Sequence, residues 1–313
     1  MRVQENILLA PYTIYKIGGP ARYFIECASQ EDVESAVEFA AEKNLPFFIL
    51  GAGSNMLVAD AGFEGAAIRV SGGVVRAEGE RLIADAGVMM ARAVSVAAAA
   101  RLAGFEWGIG VPGTIGGSVR GNAGCFGGEM RDVIETVAVL DARSGARRVV
   151  QATECVFGYR DSFFKKNPHI IILSVILGLT RADPADIQKR IREVTAMRAA
   201  RQDIGSKCAG CIFRNAAWPE EERACAHLVE RFPDLAEFAA SPHIPASYLI
   251  DHAGLKGRRA GQAVISAKHA NYFINEGGGR AADIRALIDM AKTEVKEKYG
   301  ICLEEEIQYI GFR

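Results

Sequence analysis

Glycine is concentrated in one short part of this 313-residue chain, where six glycines fall between positions 108 and 121. Glycine has no Cβ, so such a run forms tight turns and lets a ligand come close to the backbone amides. A second glycine turn, Gly51-Ala-Gly-Ser-Asn55, follows an apolar stretch at 46–50 that predicts a short buried strand. Two such turns can hold the two phosphates of a dinucleotide, although single glycines more often serve only the turn itself.

The stretch 108–113 formally matches the G-x-G-x-x-G fingerprint of dinucleotide-binding folds. In those folds the glycines follow a strand and open a helix. Here the preceding stretch, 87–104, predicts a helix, and Pro112 interrupts the motif. We therefore reject a Rossmann fold for this chain.

Helix and strand patterns are mixed along the chain rather than strictly alternating. Ser29 and Asp183 are helix caps, and an apolar stripe at 284–295 predicts a helix that ends at Gly300. Strands are predicted at 134–140, 169–178 and 301–310. The predicted fold class is α+β.

The charges are balanced, with 37 basic and 38 acidic side chains and a formal net charge of −1. Such a balance gives no general attraction to nucleic acid or to an anionic membrane, so an anionic substrate must be bound by a few placed cations. No stretch reaches the ~20 apolar residues of a membrane span, and no signal peptide is recognised. The seven scattered cysteines are not a disulfide framework, so we expect a cytoplasmic protein.

Seven segments, in the same order along nearly the whole chain, resemble those of the UDP-N-acetylenolpyruvoylglucosamine reductases. They read TIYKIGGP (13–20), ILGAGSNMLVAD (49–60), PGTIGG with NAG (112–117 and 122–124), FGYRDS (157–162), LIDHAGLKG (249–257), SAKHAN (266–271) and LEEE (303–306). The resemblance implies an NADPH- and FAD-dependent reduction of an enolpyruvyl sugar nucleotide in peptidoglycan precursor synthesis.

The same resemblance implies the FAD-binding fold of the vanillyl-alcohol-oxidase type, with two flavin-binding subdomains and a C-terminal α+β substrate domain. We expect the first subdomain at 1–70 with 300–313, the second at 71–200, and the substrate domain at 201–299. The short interval between Arg160 and Arg198 resembles the second type of the family, which lacks a substrate-covering tyrosine loop. We expect a monomer.

The resemblance assigns catalytic roles to Arg160, Cys211 and Glu306, which we expect to meet at the enolpyruvyl group. Arg160 matches an arginine that holds the substrate carboxylate, a task that a planar and permanently charged guanidinium suits. The alternative is a surface ion pair with Asp161. Glu306 matches the catalytic glutamate, although spacing on a strand puts Glu304 on the same face.

Cys211 occupies the place where many members carry a proton-donating serine. A thiol has a reference pKa of about 8.5, so it is mostly protonated at neutral pH and can donate that proton. The alternative is that Cys211 is a small buried apolar residue.

The residues implied to bind FAD lie in and around the two glycine turns. They are Gly51, Ala52, Gly53, Ser54, Asn55, Met56, Pro112, Gly113, Thr114, Gly116, Gly117, Asn122 and Gly124. The residues implied to bind substrate are Tyr159, Arg198, Arg201, Arg214, Asn215, Lys268 and His269. Arg198 and Arg201 are three apart on a predicted helix, so both can reach one diphosphate, unless they only complement the helix dipole.

The sequence departs from the family after Asn215, where Ala216 replaces the usual proline. The stretch at 216–245 is longer than expected and predicts an added helix or loop. Cys208, Cys211, Cys225 and His227 raise the question of zinc, but the spacing of the last pair is atypical, so no metal is predicted.

Two other functions remain open from the sequence. One is a flavin-dependent sugar or alcohol oxidase of the same fold, which would consume oxygen rather than NADPH. The other is a non-catalytic nucleotide-binding module, which would be colourless. The visible spectrum and substrate-dependent NADPH consumption separate the three.

Overall fold

The computed structural model describes residues 1–312, and eight α-helices lie in that range. They are α1 (Gln30–Glu42), α2 (Met90–Ala99), α3 (Ile115–Arg120), α4 (Phe163–Lys166), α5 (Pro184–Arg201), α6 (Glu222–Arg231), α7 (Ala246–His252) and α8 (Ala281–Tyr299). None of these helices has both the length and the apolar composition that crossing a bilayer requires.

Twenty β-strands lie in the same range, and many of them are short. They are β1 (Arg2–Leu8), β2 (Pro20–Cys27), β3 (Phe47–Leu50), β4 (Met56–Val58), β5 (Phe63–Val70), β6 (Val75–Glu78), β7 (Arg81–Asp85), β8 (Leu102–Ala103), β9 (Gly124–Cys125), β10 (Gly128–Glu129), β11 (Ile134–Asp141), β12 (Arg147–Gln151), β13 (Ile170–Gly178), β14 (Thr180–Arg181), β15 (Ala216–Ala217), β16 (His243–Ile244), β17 (Arg259–Ala260), β18 (Ala263–Ile265), β19 (Phe273–Asn275) and β20 (Gln308–Ile310).

The chain divides into two units. The first contains 1–12, 19–54 and 62–200, and the second contains 13–18, 55–61 and the chain from Arg201 onward. The division into three domains remains a prediction.

The first unit contains two sheets. One has the strand order β1-β2-β5-β3, in which β2, β5 and β3 run parallel, and the other has the antiparallel order β12-β11-β13-β7-β6. Helix α1 covers the first sheet through Val33 and Val37, which are buried with Ile25 and Ile68. This helix begins as predicted, because the Ser29 side chain accepts a hydrogen bond from the Asp32 amide at 3.2 Å.

Helix α2 is shorter than the predicted span of 87–104. It begins after Met89, because residues just before it pair with the glycine segment. Val88 O accepts a hydrogen bond from the Ile115 amide at 2.8 Å, and Met89 forms a β-bridge with Thr114. It stops before Arg101, whose φ of 59° is left-handed.

The core of the second unit forms where α8 packs against the β17-β18-β19 sheet. The predicted apolar stripe is confirmed, since Ile284, Leu287 and Ile288 are each 0% exposed. Gly300, with a φ of 71°, ends α8 as predicted.

The predicted strand at 301–310 is wrong in extent. Only Gln308–Ile310 forms a strand, β20, which runs parallel to β4. Upstream of it, Glu305 forms a single bridge with Phe213. The segment pairs with Phe213 at Glu305 and with β4 at 308–310, so it forms no continuous strand.

The stretch after Asn215, predicted to contain an added helix or loop, contains the helix α6. The two ends of this stretch pair with each other through the short strands β15 and β16, and α6 lies between them. Leu228 of α6 and Leu235, which follows this helix, are buried in the core of the second unit. The added stretch is therefore a packed part of that unit.

Candidate active site

The two glycine turns of the first unit contact each other. A Cβ added to Gly51 would lie 2.7 Å from Thr114 Oγ1, and one added to Gly113 would lie 3.0 Å from Ser54 Oγ. Gly113 has a φ of 134°, which disfavours any residue with a side chain. The backbone at Gly113 therefore favours glycine, a side chain at position 51 would press on Thr114, and the turn after β3 lies directly against the turn before α3.

The backbone amides of the two turns are used differently. At the start of α3, the Ile115 amide donates to Val88 O and the Gly116 amide donates to Ala86 O. The Gly117 amide donates to Thr114 Oγ1, the side chain that caps the helix. These three amides are therefore already bonded within the protein.

In the turn after β3, by contrast, the amides of Ala52, Gly53 and Ser54 donate to no acceptor among residues 1–312. Gly53 has a φ of 63°, which lets consecutive amides form a concave surface. This turn fits the diphosphate of a dinucleotide cofactor such as FAD, because consecutive amides bind anions.

Asn122 links the glycine segment to the chain that carries Arg160. Its buried side chain donates to Glu129 Oε2 at 2.7 Å and to Gly158 O at 2.9 Å, and it accepts from the Arg131 amide at 3.0 Å. Both amide hydrogens of the side chain are therefore engaged. A contact from Asn122 to a cofactor would have to come from its backbone.

Arg160 lies at the tip of a tight turn in which Gly158 and Asp161 exchange two backbone hydrogen bonds. Its φ of 53° is left-handed, which is uncommon for a residue with a side chain, although seven other non-glycine residues among 1–312 share a positive φ. Its guanidinium donates to Gly124 O at 2.8 Å, so it points toward the glycine segment. Asp161 forms its ion pair with Lys166 at 2.9 Å.

Tyr159 shares the tip of that turn and is 37% exposed. Its ring centre lies 5.5 Å from the Arg160 guanidinium carbon. The two residues predicted at 159 and 160 are therefore in contact with each other.

Arg198 and Arg201 both lie on α5 but differ in exposure. Arg198 is 6% exposed, and its guanidinium Nη2 lies 2.7 Å from Cys125 Sγ. Arg201 is the exposed last residue of the helix. Whether both reach one diphosphate stays a prediction.

In the second unit, Cys211 and Glu306 lie on neighbouring segments. Cys211 forms a β-bridge with Tyr272, and the next residue, Ile212, accepts a hydrogen bond from the Glu306 amide at 2.7 Å. The Asn55 side chain donates to Glu306 O at 3.3 Å. A thiol and a carboxyl group, both partly buried, are thus held by backbone hydrogen bonds within one unit.

The three consecutive glutamates have different surroundings, although their spacing did not distinguish Glu304 from Glu306. The Glu304 side chain is 78% exposed and is 4.0 Å from Arg214. Glu305 accepts a hydrogen bond from Lys292 at 3.0 Å. Glu306 is partly buried, so its surroundings are less aqueous than those of Glu304.

Asn271 was not among the predicted site residues, although it belongs to the motif SAKHAN. It is 1% exposed, and its side chain accepts from the Phe213 amide at 2.9 Å and donates to Phe213 O at 2.8 Å. It therefore fixes the segment that carries Cys211. Its place in this motif, two residues after His269, was the available signal.

Lys268 and His269 belong to a turn capped by Ser266, whose hydroxyl accepts from both of their amides at 3.0 and 2.9 Å. Lys268 is exposed. Burial lowers the pKa of His269, so its ring is neutral at physiological pH. Asn215 is exposed and accepts a hydrogen bond from the Ala246 amide at 3.2 Å.

The cysteines around 208–225 contact backbone oxygens. Cys208 Sγ lies 3.3 Å from Gly210 O, and Cys225 Sγ lies 3.0 Å from Pro219 O. Within residues 1–312, no three His, Cys, Asp or Glu side chains are arranged to hold a metal ion.

Two parts of the chain match known protein-family models. Residues 21–149 match the family model described as FAD binding domain. Residues 202–310 match the one described as UDP-N-acetylenolpyruvoylglucosamine reductase, C-terminal domain.

Similar proteins extend over almost the whole chain. The UDP-N-acetylenolpyruvoylglucosamine reductase of Clostridium novyi is 34% identical over 310 residues, which are 99% of this chain and 92% of that protein. That of Rubrobacter xylanophilus is 35% identical over 305 residues, or 97% of this chain and 93% of that protein.

A solved structure agrees with these relatives. The crystal structure of the UDP-N-acetylenolpyruvylglucosamine reductase from Thermus caldophilus superposes with a TM-score of 0.79 at 34% identity and covers 99% of both chains. The predicted fold class, an FAD-binding fold of the vanillyl-alcohol-oxidase type followed by an α+β substrate domain, is confirmed. Its similarity to these proteins along its full length makes this chain a member of the UDP-N-acetylenolpyruvoylglucosamine reductase family.

Proposed function

We propose that this protein uses NADPH and FAD to reduce UDP-N-acetyl-enolpyruvoylglucosamine to UDP-N-acetylmuramate, a step of peptidoglycan precursor synthesis. The observation that carries this proposal is the family membership over 99% of the chain, because it covers both the flavin part and the substrate part. When bound, FAD supplies hydride transfer from NADPH to the substrate double bond.

The protein's first task is to hold the cofactor. The amides of Ala52, Gly53 and Ser54 would hold its diphosphate, because they have no protein acceptors within residues 1–312. Gly113 and Thr114 bring the second turn against the first, which leaves no room for side chains between them.

The second task is to stabilise the charge that develops on the substrate. When hydride adds to the β-carbon of the enolpyruvyl group, negative charge moves onto the conjugated carboxylate as an enolate. Arg160 binds this carboxylate, because its guanidinium is permanently charged and two-pronged. The tight turn at 158–161 supports this role, because it directs the Arg160 guanidinium to Gly124 O, next to the glycine segment.

The third task is to protonate the α-carbon. Cys211 donates the proton from its thiol, so that one hydride and one proton add across the double bond. Glu306, on the neighbouring segment, assists this transfer from its partly buried position. Returning a proton to Cys211 from solvent completes the cycle.

The test begins with the visible spectrum of the purified protein, which should show bound flavin. NADPH oxidation is then followed with and without the enolpyruvyl sugar nucleotide, and NADH is compared under the same conditions. We expect substrate-dependent loss of NADPH and formation of UDP-N-acetylmuramate. Colourless protein would rule this function out, and oxygen consumption without a need for the sugar nucleotide would indicate an oxidase instead.

The role of Cys211 has its own test in the two half-reactions. Cys211→Ala should leave flavin reduction by NADPH intact and slow re-oxidation by the substrate, while Cys211→Ser should retain more of it. Cys302→Ser is the matched control, because Cys302 is an exposed thiol. Equal slowing of both half-reactions in Cys211→Ala would contradict its role as proton donor.

We also propose that the protein acts in the cytoplasm as a monomer. None of its seven cysteines, all within residues 1–312, is in a disulfide, which is typical of proteins in a reducing compartment. Light scattering coupled to size-exclusion chromatography measures the mass directly, and a value near twice 33.7 kDa would contradict the monomer.

A further inference from the structure

The strands β9 and β10 form a short hairpin in the first unit, which we call the 124–129 hairpin. A Cβ on Gly128 would lie 2.2 Å from Trp107 Cδ1, so the hairpin packs directly on that indole ring. At its tip, Phe126 O accepts a hydrogen bond from Arg190 of α5 at 3.1 Å. The hairpin is therefore fixed on two sides.

Two arginines of the first unit contact this hairpin: Arg160, which was predicted to be catalytic, and Arg198, which was predicted to bind substrate. Arg160 Nη2 donates to Gly124 O at 2.8 Å, and Arg198 Nη2 lies 2.7 Å from Cys125 Sγ. The Arg198 guanidinium carbon also lies 5.3 Å from the centre of the Phe126 ring. One guanidinium thus contacts the backbone of Gly124, and the other contacts the side chain of the next residue, Cys125.

The acceptor for Arg198 is a thiol rather than a carboxylate. Cys125 Sγ also lies 3.1 Å from Trp107 O, to which its thiol hydrogen is donated. Burial raises the pKa of Cys125 by more than the charges of Arg198 and Arg160 lower it, so the thiol keeps its proton. This contact orients the guanidinium without neutralising it, whereas a carboxylate at 125 would form an ion pair with it.

The stem of Arg198 is confined as well. A Cβ on Gly110 would lie 2.9 Å from Arg198 Cδ, so only glycine leaves room for the side chain there. The φ of Gly110 is 72°, which also favours glycine. The side chain is therefore held along its length by Gly110, and at its head by Cys125 and Phe126.

We propose that the 124–129 hairpin sets the placement of both arginines, and that Cys125 is a positioning residue that orients Arg198 toward an anionic group of the substrate. The arrangement fits a ligand with two separate anionic groups, a carboxylate for Arg160 and a phosphate for Arg198. This inference rests on the proposed function and assigns a role to a residue outside the predicted catalytic set.

The test compares Cys125→Ser, Cys125→Ala and Cys125→Asp in the FAD-loaded protein. Steady-state rates give KM and kcat for the enolpyruvyl sugar nucleotide, and calorimetric titration with UDP-N-acetylmuramate gives an affinity without turnover. Cys125→Ala should raise KM and the dissociation constant roughly tenfold, because a hydrogen bond to a charged group is lost, while kcat changes less. Cys125→Ser should restore most of the affinity, and Cys125→Asp should weaken binding further than alanine does.

A double-mutant cycle distinguishes positioning from a general structural effect. In an Arg198→Ala background, Cys125→Ala should add little further loss of affinity, because Cys125 acts through Arg198. Cys302→Ser, which removes an exposed thiol, is the control and should leave both constants unchanged.

Three results would overturn the inference. They are unchanged binding in Cys125→Ala, binding by Cys125→Asp as tight as in the wild type, and additive losses in the double mutant. An inactive wild-type protein would instead refute the proposed function, so the two failures can be told apart.

Discussion

Asn271 is the residue whose replacement tests most directly how the second unit holds Cys211. Its side chain accepts from the Phe213 amide at 2.9 Å and donates to the Phe213 carbonyl at 2.8 Å. Phe213 lies between Ile212, which binds the Glu306 amide, and Arg214, which binds Glu304 O. Asn271→Ala removes both side-chain hydrogen bonds from the centre of this segment.

The size of the effect follows from burial. Phe213 and Asn271 are each 1% exposed, so alanine would leave a backbone N–H and a backbone C=O buried without partners. Each stranded group costs about 1–3 kcal/mol, and the chain relaxes to recover some of this. We expect Asn271→Ala to lower the free energy of unfolding by about 2–4 kcal/mol.

The same change should affect catalysis in one half-reaction. A segment that is no longer held by Asn271 leaves the Cys211 thiol poorly aligned, and misplacement of a reacting group slows a reaction on the order of tenfold or more. We expect slower re-oxidation of the flavin by the sugar nucleotide, with flavin reduction by NADPH largely retained. Urea unfolding and stopped-flow absorbance measure the two effects separately.

Asn275→Ala is the matched control. Asn275 is 2% exposed, donates to Tyr15 O at 2.8 Å, and accepts from the amides of Gly277 and Gly279. Its loss should destabilise the same unit by a similar amount without touching the Phe213 segment. The reasoning is refuted if both variants slow substrate reduction equally, or if Asn271→Ala leaves the free energy of unfolding unchanged.

Two further predictions concern the cofactor turn and pH. Gly51→Ala should raise the FAD dissociation constant about tenfold, because its Cβ would lie 2.7 Å from Thr114 Oγ1. Gly121→Ala is its control, since its Cβ would have no contact closer than 3.6 Å, and equal flavin affinity in both titrations would contradict the prediction. Burial lowers the pKa of His269 in the folded protein. Below about pH 6.5 the unfolded chain therefore binds a proton more readily than the folded protein does, and the free energy of unfolding should fall as the pH drops. Urea unfolding at pH 7.5 and 5.5 should show a smaller fall for His269→Gln, and an identical fall in both proteins would contradict the prediction.

Local sequence patterns predicted the longer helices and several of the longer strands, but not the short elements between them. The helix that begins at Pro184, the strand Ile170–Gly178 and the stripe of α8 follow from caps, apolar runs and helical periodicity, which act over a few residues. The errors occurred where a distant segment decides the outcome. Helix α2 begins late because Val88 and Met89 pair with the glycine segment, and most of 301–310 is not a strand because its partner changes.

The motifs likewise identified candidate residues but did not predict their burial or their contacts. Spacing left Glu304 and Glu306 equivalent, and only the packing makes one exposed and the other partly buried. Spacing also put Arg198 and Arg201 on one helix face, whereas one is buried against Cys125 and the other is exposed.

The sequence by itself determined the helices α1, α5 and α8, the glycine turns and the family to which the chain belongs, because these depend on local geometry and on ordered motifs. Only the tertiary structure showed that the Gly51 turn touches Thr114, that Asn271 binds both polar backbone groups of Phe213, and that Arg198 lies against the Cys125 thiol. These contacts join residues far apart in the chain. Burial and hydrogen bonding between such residues depend on how the elements pack, which no local pattern encodes.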